Sequence, residues 1–172
     1  MKILLLGYMG SGKSTVGQHL AEVLNIPFHD LDQEITNKTG KTISEIFKNK
    51  GELFFRKLEF QILNDVLESK NSFVMALGGG TPCYGNVMQQ LKERNDVLTI
   101  FLNVSLPELT ERLFPERKNR PLIAHLETKE LLHDFIRKHL FERNFYYSQA
   151  RLRIPANEPA RTVVSTIILQ LF

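Results

Sequence analysis

Short apolar runs alternate along this chain with longer stretches in which apolar positions recur every three or four residues. "KILLL" (2–6) is a run of the kind that fills a buried parallel strand, and it ends on a glycine. Val16, Leu20, Val23 and Leu24 then recur at helical spacing, with Gln18, His19 and Glu22 between them. Continued to the end, the pattern predicts strands at about 2–6, 27–29, 72–77, 97–102 and 151–154. It predicts helices near 13–24, 42–48, 52–69, 84–94, 105–112, 127–145 and 159–171. "ESKNS" (68–72) and "ERND" (93–96) are polar connectors. Alternation of this sort implies an α/β fold: one three-layer domain with a five-stranded parallel sheet flanked by helices. No internal repeat, low-complexity tract or second-domain linker interrupts it.

One segment breaks the rhythm. "LFPERKNRPLIAHLET" (113–128) holds two prolines and the cluster Arg117, Lys118 and Arg120. It reads as too polar for core and too basic for a casual turn. A mobile lid over phosphates is expected here, the alternative being a plain solvated loop. The 172 residues suit one domain with a sizeable core, and 42% hydrophobic with 24% charged places the chain among soluble globular proteins. Net charge is only +3, too mild to argue for nucleic acid yet suited to a site that receives anions. The one cysteine, Cys83, excludes an internal disulfide and fits a reducing compartment. No apolar run approaches the roughly 18 residues of a membrane span. The first strand begins at once, leaving no room for a signal peptide, so a cytoplasmic protein is expected.

The chemistry enters with "LLLGYMGSGKST" (4–15), where Gly7-x-x-x-x-Gly12-Lys13-Ser14 fits the P-loop pattern in full, between a strand and a helix. Gly7, Gly10 and Gly12 let backbone N–H groups turn inward around phosphate oxygens, and the helix N-terminus adds its positive end. Gly10, Ser11, Gly12, Lys13, Ser14 and Thr15 are the candidate nucleotide contacts. Lys13 would reach the β- and γ-phosphates, and the Ser14 hydroxyl would ligate Mg²⁺. A glycine turn followed by a chance Lys-Ser is the bland alternative. "NKTG" (37–40) lacks the aspartate of a guanine-reading segment. No acid closes a later apolar strand; "FVMALGGG" (73–80) ends on three glycines instead. The second Mg²⁺ contact must come from elsewhere, and "FHDLD" (28–32) offers Asp30 and Asp32 at the sheet's carboxyl edge. Asp30 could equally cap a following helix.

Taken together, "GYMGSGKST", "FHDLD", "GELFFRKLE" (51–59), "LGGGTP" (77–82), "NRPL" (119–122) and "ERNFYYSQA" (142–150) resemble the shikimate kinases, within the nucleoside-monophosphate-kinase-like group of P-loop proteins. The resemblance covers nearly the whole chain. It implies a single P-loop kinase domain over 1–172, with a lid at about 113–125 and a substrate-binding helical segment at about 31–62. It implies transfer of the γ-phosphoryl of ATP to the 3-hydroxyl of shikimate, with Mg²⁺, in the making of aromatic amino acids. The shikimate contacts it implies are Asp32, Arg56, Gly78, Gly79, Gly80 and Arg143. Lys13, Asp32 and Arg120 would be catalytic, Ser14 and Asp30 would hold the metal, and Arg112 and Arg120 would join the nucleotide contacts. ATP and shikimate are the implied partners, with neither nucleic acid nor membrane, and a monomer is expected.

The residue chemistry agrees with these roles. Arg56 and Arg143 carry forked donors that suit a carboxylate, and glycines 78–80 let backbone approach a ring without side-chain bulk. Glu59, three positions after Arg56, could hold that arginine. Asp32 can accept a hydrogen bond from the attacking hydroxyl. A free aspartate ionises near pH 3.9, so positioning is ranked above proton abstraction. Each has a bland rival: a surface Arg56–Glu59 pair, a solvated Arg143, a plain glycine loop. His29, Cys83, Tyr146 and Tyr147 read as structural, and Phe47, Phe54, Phe55 and Phe60 as packing. The family's adenine-side arginine is missing from "IPANEPARTVV" (154–164), where Ala156, Asn157 and Glu158 stand, which leaves Arg112 to stack on the base. A kinase for gluconate or a nucleoside monophosphate, and a nucleotide-gated binding module, are the competing functions.

Overall fold

The structure is a computed structural model that describes residues 1–69 and 71–172. Five parallel strands, β1 (Lys2–Leu6), β2 (Phe28–Asp30), β3 (Phe73–Ala76), β4 (Val97–Asn103) and β5 (Leu152–Pro155), form one sheet in the order β2-β3-β1-β4-β5. Central β1 pairs on both sides, Leu5 opposite Ala76 of β3 and Ile100 of β4. Ile3 to Leu6 have no exposed surface, as helices on both faces of a parallel sheet require. The α/β fold class with a five-stranded sheet is therefore as the sequence pattern predicts.

The helices are α1 (Lys13–Leu24), α2 (Leu31–Thr39), α3 (Ile43–Leu67), α4 (Val87–Glu93), α5 (Leu106–Glu116), α6 (Lys129–Tyr147) and α7 (Ala160–Leu171). The expected break between 48 and 52 is present inside α3: Gly51 sits at φ 80°, a left-handed conformation that interrupts the helix. Thr42 starts α3 with a reciprocal capping box to Glu45. Helix α2 is a finding that the hydrophobic pattern did not separate from its surroundings. Only Leu31 and Ile35 of it are buried; its signals are the Asp30 N-cap, acids in the first turn and Gly40 beyond its end. Helix α4 is shorter than the expected 84–94, because Tyr84 is extended and Gly85 takes a left-handed φ of 55°, so the helix starts only after Asn86.

The segment 113–128 begins as helix, which corrects the expected helix end at 112. Helix α5 continues through Pro115 to Glu116, a 3₁₀ turn covers Arg117–Asn119, and Ile123 and Leu126 are buried in the core. Leu113, Ile123 and Leu126 thus anchor the segment to the core, and most of the rest, from Pro115 to Leu122 and at Glu127, lies at the surface.

Helix α1 crosses the sheet so closely that a Cβ on Gly17 would lie 2.4 Å from the Phe28 ring and 3.2 Å from Leu5. Gly17→Ala should therefore destabilise the fold by about 1–3 kcal/mol through overpacking, read as a lowered midpoint in thermal unfolding. An unchanged midpoint would mean that this contact is loose.

Candidate functional site

The carboxyl ends of β1, β2 and β3 open into one cleft, of about 590 Å³, bordered among others by Lys13, Ser14, Asp30, Asp32, Gly79 and Arg120. A larger cavity of about 700 Å³, bordered by Tyr8, Ser11, Phe101 and Phe141, contains none of these charged groups. Gly10 (φ 76°) and Gly12 (φ 87°) supply the left-handed backbone that wraps the loop. Gly12 caps α1 without a side-chain hydrogen bond, so the first amides of the helix keep their capacity for an anion. Lys13 folds over the loop and donates to the carbonyls of Gly7 (2.8 Å) and Tyr8 (2.9 Å). Loss of hydration pulls its ammonium down to about 8; Asp32 and Asp30 oppose that shift, while Arg120 and Arg143 add to it. Ser11 is buried with its N–H on the Tyr8 carbonyl (3.1 Å), and Thr15 is exposed in the first turn of α1.

Asp30 does two things at once. Its Oδ1 accepts from the Asp32 N–H at the start of α2, and its Oδ2 accepts from the Ser14 hydroxyl at 2.7 Å. The cap and the candidate metal contact are therefore compatible. Asp32 reaches solvent through the cleft, yet its carboxyl is crowded by protein. Desolvation, then Asp30 and Glu59, raise it to about 6, against the pull of Lys13 and Arg56. The expectation of an ordinary aspartate near 3.9 is corrected accordingly, because the fold buries the carboxyl and brings Glu59 to the neighbouring pair Asp30 and Asp32.

The acceptor end gathers on Gly78–Gly80. Arg56 donates to Glu59 Oε2 (2.9 Å), and Glu59, only 2% exposed, accepts from Thr81 Oγ1 (2.7 Å) through its other oxygen. A surface ion pair is thereby excluded: this is a buried arginine brace. A Cβ on Gly80 would meet Arg56 Nη2 at 2.3 Å, and one on Gly79 would meet Arg143 Nη1 at 3.4 Å. Arg143 lies over the Tyr8 ring, 5.9 Å from its centroid. Tyr147 is more than packing: its hydroxyl donates to the Gly79 carbonyl at 2.6 Å, and its ring lies against Phe101. His29 pairs with Glu34, and burial raises the Cys83 thiol to about 11, which suits structural roles for both.

Of the basic cluster, Arg120 borders the cleft and pairs with Glu116 at 2.8 Å, whereas Arg117 covers Phe114. Arg112 is committed to Glu108 (2.7 Å) and to the carbonyls of Ala156 (3.0 Å) and Asn157 (2.9 Å). Sequence reasoning missed Thr81, the Tyr147 hydroxyl and the pair Tyr8–His139. The spacing of His139, Arg143 and Tyr147, one turn apart along one helix face, was the available signal, but the expected helix stopped at 145.

Comparison with known proteins fits this geometry. The family model for shikimate kinase matches residues 9–172. A shikimate kinase of Flavobacterium johnsoniae is 43% identical over 166 residues, which span 96% of this chain and 94% of that protein. The crystal structure of a shikimate kinase from Bacteroides thetaiotaomicron superposes with a TM-score of 0.90 at 36% identity, covering 99% of this chain and 98% of that one. A shikimate kinase from Acinetobacter baumannii, solved in complex with shikimate, gives 0.85 at 35% identity, over 99% and 92%. With a phosphate loop, a paired-acid edge and an arginine-flanked glycine turn in one cleft, the chain belongs to the shikimate kinase family.

Proposed function

We propose that this protein transfers the γ-phosphoryl group of ATP to the 3-hydroxyl of shikimate. The observation that carries this is the meeting of both halves of such a reaction at one sheet edge. Lys13, Ser14 and Asp30 stand on the donor side, and Asp32, Arg56 and Arg143 stand around the glycine turn on the acceptor side. The acceptor is a ring with a carboxylate and hydroxyls. Arg56 and Arg143 present forked donors for the carboxylate, and Gly78–Gly80 let both arginines come up to the backbone of the turn.

Ser14 and Asp30 present hard oxygen donors that fit Mg²⁺. Among the described residues no three His, Cys, Asp or Glu side chains form a metal cluster, so the rest of the shell would be phosphate oxygens and water. Bound there, the ion would neutralise charge on the phosphates. Lys13 would leave the Gly7 and Tyr8 carbonyls for the β- and γ-phosphate oxygens. Arg120 would exchange Glu116 for the moving phosphoryl group, a contact of a kind worth about 10³–10⁵ in rate. Asp32 accepts the hydrogen bond of the attacking hydroxyl and takes its proton as the new O–P bond forms and the β–γ bridge bond breaks. Its raised carboxyl brings it closer to that task. Arg112, held beside the 156–157 turn, would stack on adenine. The reading includes one kinase domain over 1–172, with 113–125 as a lid that excludes water and 31–62 as the acceptor helices. It also includes a monomer in the cytoplasm. The lone Cys83 suits a reducing compartment.

ADP release with ATP, Mg²⁺ and a panel of shikimate, gluconate and nucleoside monophosphates tests the function. Shikimate alone should drive turnover, and Lys13→Ala should abolish it while shikimate still binds. Preference for gluconate or a nucleotide would overturn the reading. The pH profile tests Asp32, whose ionised form is the working one. kcat/KM should fall tenfold per pH unit below a break near 6, and Asp32→Asn should lower kcat and remove that break. A wild-type profile flat down to pH 5 would contradict the role.

A further inference from the structure

Tyr8 lies in the phosphate loop, but its side chain turns to α6. The residue is 1% exposed, and its hydroxyl stands 2.9 Å from His139 Nδ1. The two rings meet at 90° with centroids 5.5 Å apart, and Phe135 supports His139 at 5.3 Å. Burial holds the phenol ionisation well above its ordinary range, and burial with nearby Arg143 lowers the imidazole's, so the partners meet as neutral groups. The same residue touches both ends of the cleft. Its carbonyl accepts from Lys13, and its ring carries the Arg143 guanidinium at 5.9 Å. Among the described residues no carboxylate pairs with Arg143. Its supports are instead two tyrosines of the cleft wall, the Tyr8 ring and the Tyr147 side chain.

We propose that Tyr8 and His139 are positioning residues for the acceptor: their hydrogen bond fixes the Tyr8 ring, and the ring fixes Arg143 for two-point contact with the shikimate carboxylate. This rests on the reading of Arg143 as the carboxylate partner. His139 and Arg143 lie one helical turn apart on α6, so the strut and the arginine move as one body. A guanidinium reads a carboxylate through its plane, which makes a tilt of the supporting ring costly even when the charge stays in place.

Calorimetric titration with shikimate, without nucleotide, is the test. Tyr8→Phe keeps the ring and removes only the hydroxyl. It should weaken shikimate binding about 3- to 10-fold, the worth of one ordinary hydrogen bond, while ATP affinity stays within about twofold. His139→Leu should reproduce the loss, and His139→Asn, whose amide takes the place of Nδ1, should restore most of the affinity. In an Arg143→Lys background, Tyr8→Phe should cost almost nothing more. A bond that serves the fold alone would lower the thermal midpoint, leave shikimate affinity unchanged, and add nothing specific to Arg143. That result overturns the proposal. If His139→Leu fails to fold, Tyr8→Phe and the double variant decide. Absence of shikimate binding by the wild-type protein would instead remove the functional reading beneath it.

Discussion

A methyl group on Gly80 would stand 2.3 Å from Arg56 Nη2, and one on Gly78 would stand 2.9 Å from Thr81 Oγ1 and 3.0 Å from Glu59 Oε1. The turn after β3 is thus filled, up to the backbone, by the polar side chains of its neighbours. α3 delivers Arg56 and Glu59 to this turn, and α6 delivers Arg143 and Tyr147. Neither helix could bring its charge so near if the turn carried side chains. The hydrogen bond from Tyr147 to the Gly79 carbonyl and the brace from Thr81 to Glu59 hold the turn against both helices. Backbone shape at three residues therefore decides where the acceptor end of the cleft lies.

The donor end is governed by the opposite problem, a concentration of charge with little water. Burial pulls the Lys13 ammonium down to about 8 and pushes the Asp32 carboxyl up to about 6; Arg120 and Arg143 add to the first shift, and Asp30 and Glu59 add to the second. Lys13 is parked on two carbonyls, Arg120 on Glu116, and Ser14 on Asp30. Each of these contacts is one that a phosphate or a cation can replace with a stronger one. The cleft thus holds its reactive groups in weak local partnerships, close to where the reaction needs them.

Much of this was legible in the chain. The strand-glycine-helix passage at 2–24, the five apolar runs and the order of the separated motifs fix the sheet and the cleft's edge, because parallel sheets bind ligands at the ends of their strands. The pairing of Arg56 with Glu59 follows from helical spacing alone. Other features depend on distance in space. The rise of the Asp32 carboxyl comes from burial first, then from Asp30 and from Glu59, which stands twenty-seven positions away. The buried brace needs Thr81, and the Tyr147 hydroxyl needs Gly79. The apolar pattern did not delimit helix α2, because two buried residues make no pattern, and the charges of 113–128 outnumber Ile123 and Leu126, which anchor it. Hydrophobic patterning sees burial of whole faces; it does not see single polar contacts.

The most direct test of this account is shikimate affinity in Gly80→Ala. Gly80 has φ −91° and ψ −14°, a backbone that alanine adopts without strain, so the variant changes space and little else. The added methyl must push Arg56 from its place. Calorimetry should then show shikimate binding weakened at least about tenfold, with ATP binding close to wild type and the thermal midpoint lowered as Glu59 loses Arg56. Unaltered shikimate affinity in a folded Gly80→Ala protein would contradict the claim that close approach at this turn builds the acceptor site.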